Sequence, residues 1–342
     1  MIRRFWIRFR SWEYWPVWIV YFVIFFAWLW YALRLRSFLF FTTVNPTISM
    51  GGMMGESKID ILKQIPKEYK PKEVFLSEGE SFEKVKEKMS LSVINFPCIA
   101  KPDVGERGFQ VVICHDESSL KKYHQESKFA YIIQEFITFE EEFSVLYYRI
   151  PNKERGEVTS LCRKVYLHVI GNGKDTLEEL LKIDDRSYLQ LDRLKKENKL
   201  VFEEIIPKKE KRVISRIGNH SKGTMFLDLN EEIDEQLTQT FDAIFSEIKD
   251  VYFGRADLKC TSLSDLKGGK NIRILEINGV SAEPAHIYDP KYSFVKATRD
   301  LLQQWKVLFE ISKIQLARGV KPMSVGGLYN YFKKYRNKIK EN

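Results

Sequence analysis

The chain has 342 residues, 44% hydrophobic and 30% charged, enough for one large globular domain or two ordinary ones. Its four cysteines, Cys98, Cys114, Cys162 and Cys260, show no CxxC spacing, which argues against a zinc site or a disulfide framework and favours a reducing compartment. The net charge of +9 belongs to the ends: residues 1–36 carry six arginines against Glu13, residues 329–342 carry five basic residues against Glu341, and the 292 residues between are neutral, so no nucleic-acid channel is expected.

Residues 14–33, "YWPVWIVYFVIFFAWLWYAL", contain no charge, and arginines flank them on both sides. Twenty helical residues span about 30 Å, the hydrocarbon thickness of a bilayer. Six of the seven tryptophans lie in residues 1–30, as expected for anchoring at the headgroup level. No small-residue cleavage site follows, so a signal peptide is disfavoured, and a buried core helix is the other bland reading. Residues 1–36 are therefore expected to be a membrane anchor helix, spanning or lying in one leaflet, and residues 37–56 a Pro/Gly-rich connector.

Beyond the connector, "SKIDILKQI" and "SFEKVKEKM" read as short helices. Strands are then expected at "PCIAKP", "FQVVIC", "YIIQEFI", "EFSVLYYRI" and "LCRKVYLHVI", near 212–217, and at "VYFGRADLKC" and "IRILEINGV". Helices are expected at 116–126, 175–183, 187–199, 231–249 and 292–317, with a basic tail after them. Neighbouring strands joined by short turns predict antiparallel sheets and an α+β fold, not a doubly wound parallel sheet.

Four stretches could carry chemistry. In "FPCIAKPDVGERGFQVVI", Lys101 enters a hairpin turn marked by Gly105 and Gly108. A lysine beside exposed backbone N–H groups can hold phosphates, although a plain turn reads the same way. In "RILEING", period two places Glu276 and Asn278 on one strand face, and "GRADLK" does the same for Arg255 and Asp257. Asp257, Glu276 and Asn278 then form an oxygen-rich cluster suited to Mg²⁺, or half of a salt-bridge cluster with Arg255. "VIGNGKDTLEELL" tempts as a phosphate loop but is better read as a turn followed by a helix with Thr176 and Glu179 in a capping box. "RIGNHSKGTMFLDL" sets Asn219 and His220 between apolar runs.

Taken in order, these pieces resemble the ATP-grasp superfamily, in particular its cyanophycin-synthetase and D-alanine–D-alanine ligase branches, over roughly residues 56–312. The resemblance implies an ATP-grasp domain at 57–312, two α+β subdomains clamping ATP and Mg²⁺, with Mn²⁺ as a substitute. Lys58 and Lys101 match the two ATP lysines, and 102–109 the mobile phosphate lid with Gly105 and Gly108. The backbone of Glu135, Phe136 and Ile137 would read adenine and Glu142 the ribose, although the usual glycine before that acid is missing. Lys164 stands where the pattern has a basic residue facing the phosphates, and Asn219 in its Asn-x-Ser-x-Gly segment. Asp257, Glu276 and Asn278 match the metal ligands, and Arg255 would stabilise the developing oxyanion. The substrate domain of about a hundred residues that precedes ATP in such ligases has only 37–56 as its counterpart here, so the substrates do not carry over.

The function expected from this is an ADP-forming ligase of the carboxylate–amine type, acting on unidentified carboxylate and amine substrates at the cytoplasmic face of a membrane. The alternative is a non-catalytic, membrane-tethered ATP-binding scaffold or sensor. Membrane lipids are the expected partner, nucleic acid is not, and the oligomeric state is left open.

Overall fold

The computed structural model describes residues 2–105, 108–197 and 200–340. The N-terminal part holds α1 (Ile2–Arg10), α2 (Val17–Val20) and α3 (Phe22–Leu35). Next come α4 (Lys58–Leu62), β1 (Glu73–Leu76), α5 (Phe82–Leu91), β2 (Cys98–Pro102), β3 (Val112–Cys114), α6 (Glu117–Glu126) and β4 (Tyr131–Glu135). The middle of the chain gives β5 (Glu141–Tyr148), β6 (Glu157–Val165), β7 (His168–Ile170), α7 (Leu177–Ile183), α8 (Asp185–Glu197), β8 (Lys211–Val213), β9 (Met225–Asp228) and α9 (Glu235–Ser246). It closes with β10 (Phe253–Cys260), α10 (Leu263–Lys267), β11 (Arg273–Asn278), α11 (Phe294–Ala317) and α12 (Val325–Lys340).

Two antiparallel sheets make the frame. The first has strand order β1-β4-β2-β3, the second β11-β10-β5-β6-β9, and β7 and β8 form a separate ribbon. This is the expected α+β architecture. The first sheet buries Leu76, Cys98, Ala100 and Ile133 against Val85 and Met89 of α5 and Leu120 of α6. The second buries Phe143, Val145, Tyr147, Ala256 and Leu258 against Phe241, Ile244 and Phe245 of α9. Because side chains alternate along a strand, burying residues 143, 145 and 147 turns Glu142 and Ser144 to the opposite face. That opposite face looks toward the first sheet.

Helix starts follow their capping residues. Asp116 and Thr176 each form a capping box, the latter with Glu179 as read from the sequence, and Ser57, Ser81, Asp234 and Ser293 each accept a backbone N–H of the helix they open. Four elements escaped the sequence reading: β1, α10, β9, whose "MFLD" is one of the apolar runs flanking Asn219 and His220, and α12, which lies where only a basic tail was expected.

The N-terminal expectation needs correction. Residues 14–33 do not form one helix. Pro16 supplies no N–H and precedes α2, Tyr21 leaves helical geometry between α2 and α3, and Trp12–Tyr14 is a separate one-turn 3-10 helix. Among the described residues no helix is long and apolar enough to cross a membrane. The segment is instead seated on the body. Trp12, Val20 and Ile24 pack with Ile287, Ala297 and Leu301, and Ala32 joins a cluster with Val307, Leu308 and Ile311 of α11. The Trp12 indole N–H donates to the Tyr292 carbonyl at 2.9 Å.

Residues 37–56 are likewise built in. Phe40, Phe41 and Val44 are buried against α11, and the Asn45 side chain bonds the backbone of Gly51, Tyr252 and Phe253 at 2.8–3.1 Å. Gly52, at φ +82°, lies so close to Gly279 that a Cβ would come within 2.6 Å of its Cα. Val280 and Ser281 donate to the carbonyls of Gly51 and Gly52, each at 3.1 Å, which fixes the loop after β11 against this segment.

Candidate functional site

Between the two sheets lies a cavity of about 1030 Å³. All fourteen residues singled out from the sequence, from Lys58 to Asn278, line it. Registration brings the central ones together: Arg255 pairs with Asn278 and Asp257 with Glu276 across β10 and β11, and Glu142 pairs with Lys164 across β5 and β6. Glu276 and Asn278 do share a face, and Ile277 between them is buried on the other.

Asp257 is the electrostatic hub. Arg255 grips it with Nε and Nη2, each at 3.2 Å, Lys164 Nζ lies 3.2 Å away, and the Ser144 hydroxyl and the Asn278 amide (3.3 Å) also donate to it. Burial pushes the Asp257 carboxyl up, but Arg255 and Lys164 outweigh it and hold the group well below the usual carboxylate range. Lys164, also buried, bridges to Glu142 at 3.2 Å, and these two carboxylates hold its ammonium above its ordinary range despite desolvation. Glu142 further accepts from Tyr166 and leaves no room beside Gly218, where a Cβ would come within 1.8 Å of its carboxylate oxygen. Asp257→Ala should therefore cost about 3–5 kcal/mol, since it strands buried cations. Chemical denaturation of the purified protein checks this.

Glu276 is placed differently. Arg255 spends its ion pair on Asp257, and the contact found for the Glu276 carboxylate is the Asn278 amide at 3.5 Å, at the limit of a hydrogen bond. The structure therefore does not place Glu276 in a salt bridge with Arg255. Lys101, from the opposite sheet, is buried and donates to Gln134 Oε1 and to the Leu275 carbonyl, both at 3.1 Å. Burial lowers its ammonium to about 8, with Glu276 the main opposing attraction.

Lys58 opens α4 and its ammonium donates to the Gly105 carbonyl, tying that helix to the β2–β3 hairpin. Asp103 strengthens the tie by accepting from Ile59 N (2.9 Å) and the Ser57 hydroxyl (3.0 Å). Gly108 takes φ +70° in the turn, a region that favours glycine. Residues 106 and 107 of the expected lid lie outside the described residues. Glu135 ends β4, where its N–H bonds the Lys72 carbonyl at 2.9 Å, and Phe136 and Ile137 continue along the cavity edge. The Asn219 carboxamide oxygen accepts from Ser221, capping a single 3-10 turn.

A metal ion would find Glu276 and the Asn278 oxygen open to it. Asp257 already has cations on it and would have to share them. Among the described residues no group of three or more His, Cys, Asp or Glu side chains is disposed to hold a metal unaided. Asp257 and Glu276 supply two carboxylates, and Mg²⁺ is usually held by one or two carboxylates together with substrate phosphates. Charge points the same way: among the described lining residues, eight carboxylates face six lysines and arginines. A polyphosphate entering such a wall needs a divalent cation with it.

The sequence reading missed the far end of the cavity. Glu13 accepts from both Arg186 (2.9 Å) and His220, although it comes from the apolar N-terminus. Tyr21 and Tyr288 both donate to Glu283, whose carbonyl accepts from Arg255 at 3.0 Å. A lone acid among six arginines was the available signal for Glu13. His286, by contrast, lies off the cavity, buried between Ser160 (2.8 Å) and Asp300 (3.2 Å).

No curated protein matches the sequence. Among solved structures, a bifunctional glutathione synthetase from Pasteurella multocida is 17% identical at a TM-score of 0.41, over 72% of this chain and 35% of that one. The VanG D-Ala:D-Ser ligase from Enterococcus faecalis is 13% identical at 0.42, over 75% and 62%. The D-alanine–D-alanine ligase from Bacillus anthracis is 13% identical at 0.43, over 80% and 72%. The chain thus spans about a third of the first and under two thirds of the second. Residues 39–153, which hold α4, the β2–β3 hairpin, β4 and β5, match the family described as the RimK-like ATP-grasp domain.

Proposed function

We propose that this chain is an ATP-dependent, ADP-forming ligase that joins a carboxylate to an amine. The observation that carries the reading is one cavity face presenting Arg255, Asp257, Glu276 and Asn278 opposite a buried lysine, Lys101, on the other sheet. ATP-grasp ligases use ATP with Mg²⁺, and Mn²⁺ can stand in. Here Glu276 and Asn278, with Asp257, would hold the cation. When bound, it neutralises phosphate charge.

The residues divide the rest of the work. Lys101 and Lys58 draw the phosphates in, with Gly105 and Gly108 of the β2–β3 hairpin lining the cavity beside them. The edge formed by Glu135, Phe136 and Ile137 takes the adenine, and Glu142 reaches the ribose by giving up Tyr166. A carboxylate oxygen of the first substrate displaces ADP from the γ-phosphorus and leaves an acyl phosphate. The amine then attacks the acyl carbon and phosphate departs. Arg255, fixed by Asp257 and the Glu283 carbonyl, presents a preorganised positive charge to the oxyanion at that step. Lys164 supports it by anchoring Asp257 and Glu142. We place this body on the ATP-containing, cytoplasmic side, in keeping with its four free, buried cysteines.

The Lys101 ammonium gives the reading a pH signature. Its proton is held up to about pH 8 in the free protein, and phosphates prefer the charged form. Affinity for Mg²⁺·ATP should be full below that value and decline by up to about tenfold per pH unit above it, with proton uptake on binding near pH 8. Calorimetry in two buffers of different ionisation enthalpy measures the uptake, and Lys101→Met should remove it. The reading as a whole is tested by ADP release from the purified protein over panels of carboxylates and amines. Release that requires one member of each panel is the expected result, and none from any pair opposes it.

A further inference from the structure

We propose that the outer face of α1 and α3 seats the protein in the plane of an anionic lipid leaflet. In an amphipathic helix the apolar stripe normally faces the body. In α1 it faces away. Ile2, Phe5, Trp6 and Phe9 recur at helical spacing, and the last three are 62%, 49% and 60% exposed. The polar side holds the helix down instead: Arg3 and Arg4 pair with Asp185 and Asp192 of α8, and the Arg3 guanidinium lies 4.4 Å from the Tyr188 ring. The ion pairs and the buried Ile7 share the inward side, which leaves the aromatic stripe outward.

Helix α3 carries a second outward apolar face. Its inner edge packs on α11, while Phe22, Phe26, Trp30 and Leu33 on its outer side are exposed. At fourteen residues it runs about 21 Å, short of the hydrocarbon thickness, and one side is already committed to protein, so it suits the interface plane rather than a span.

Charge selects the occupant. Arg8, Arg10, Arg34 and Arg36 border this surface, all exposed, and among the described residues none pairs with a carboxylate. Exposed arginines around an aromatic face complement anionic headgroups. A second copy docked about a two-fold axis would set the same arginines against each other. The inner side of this segment carries Glu13 and Tyr21, so docking would bring the far end of the cavity close to the lipid surface.

The test uses the full chain and vesicles of equal parts phosphatidylglycerol and phosphatidylcholine. Cosedimentation with these vesicles is expected, reduced at least tenfold on pure phosphatidylcholine, with tryptophan fluorescence quenched by lipids brominated near the headgroup. The triple variant Phe5→Ser, Trp6→Ser, Phe9→Ser should lose at least tenfold in vesicle affinity. Arg34→Glu with Arg36→Glu, which leaves the aromatic face intact, should do the same. Nucleotide binding, read separately by thermal shift with Mg²⁺·ATP, should survive both, so failure of docking and failure of the ligase reading remain distinct. Absence of vesicle binding, binding indifferent to both variants, or a vesicle-independent dimer dissolved by the triple variant would overturn the proposal.

Discussion

Replacing Lys101 by alanine is expected to weaken Mg²⁺·ATP binding by tenfold or more while leaving the protein folded. The ammonium sits buried at the end of β2 with two neutral acceptors, Gln134 Oε1 and the Leu275 carbonyl, and makes no ion pair among the described residues. A buried cation without a counter-ion is costly, as its depressed proton affinity records. A protein keeps such a group where an anion will meet it, and a charge-assisted contact to phosphate contributes about 1.5–3 kcal/mol. Removing it also removes a desolvation penalty, so the free protein should lose little stability. Calorimetric titration beside a thermal melt separates these effects. Unchanged nucleotide affinity, with a large drop in melting temperature, would make Lys101 a structural residue.

Glu276→Gln is expected to reduce turnover at least a hundredfold with a change in folding stability of about 0.5 kcal/mol or less. The amide keeps the shape of the side chain and lacks the charge a divalent cation needs. Stability should hold because among the described residues Glu276 has no ion pair to lose, and the Asn278 amide is 3.5 Å away. Asp257, one strand over, should behave in the opposite sense, since two cations and a hydroxyl converge on it. The contrast between neighbouring carboxylates is itself informative. Equal stability losses at the two positions would mean that Glu276 is held by the same network.

Much of this was legible in the sequence because it rests on period and order. Alternation in "RILEING" and "GRADLK" put four polar groups on one face, and the antiparallel register kept them adjacent. What was not legible was pairing within the cluster. Whether Arg255 turns to Asp257 or to Glu276 depends on rotamer and register, and the strand pair carries an irregularity between Asp257 and Leu258 that no pattern announces. The N-terminus misled for a related reason. A charge-free run of twenty residues reads as a span when only hydropathy is counted. Whether one edge of it is claimed by Leu301 and Ile311 of α11 is a tertiary fact. The placement of Glu13 beside His220 depends on the same docking and is invisible until the segment folds back. Residues 37–56 looked like a linker because of their glycines, yet Gly52 is small because Gly279 lies against it.

In the proposed reaction the cavity activates a carboxylate by phosphorylation. Hydroxylamine tests it most directly, because it replaces the unidentified amine and converts an acyl phosphate into a hydroxamate. Purified protein, Mg²⁺·ATP, hydroxylamine and a panel of carboxylates should yield a hydroxamate and ADP in equal amounts for at least one carboxylate, and Glu276→Gln should abolish both. Tight Mg²⁺·ATP binding with no hydroxamate and no ADP from any carboxylate would contradict the account and favour a nucleotide-binding scaffold, and release of AMP in place of ADP would contradict the acyl-phosphate route.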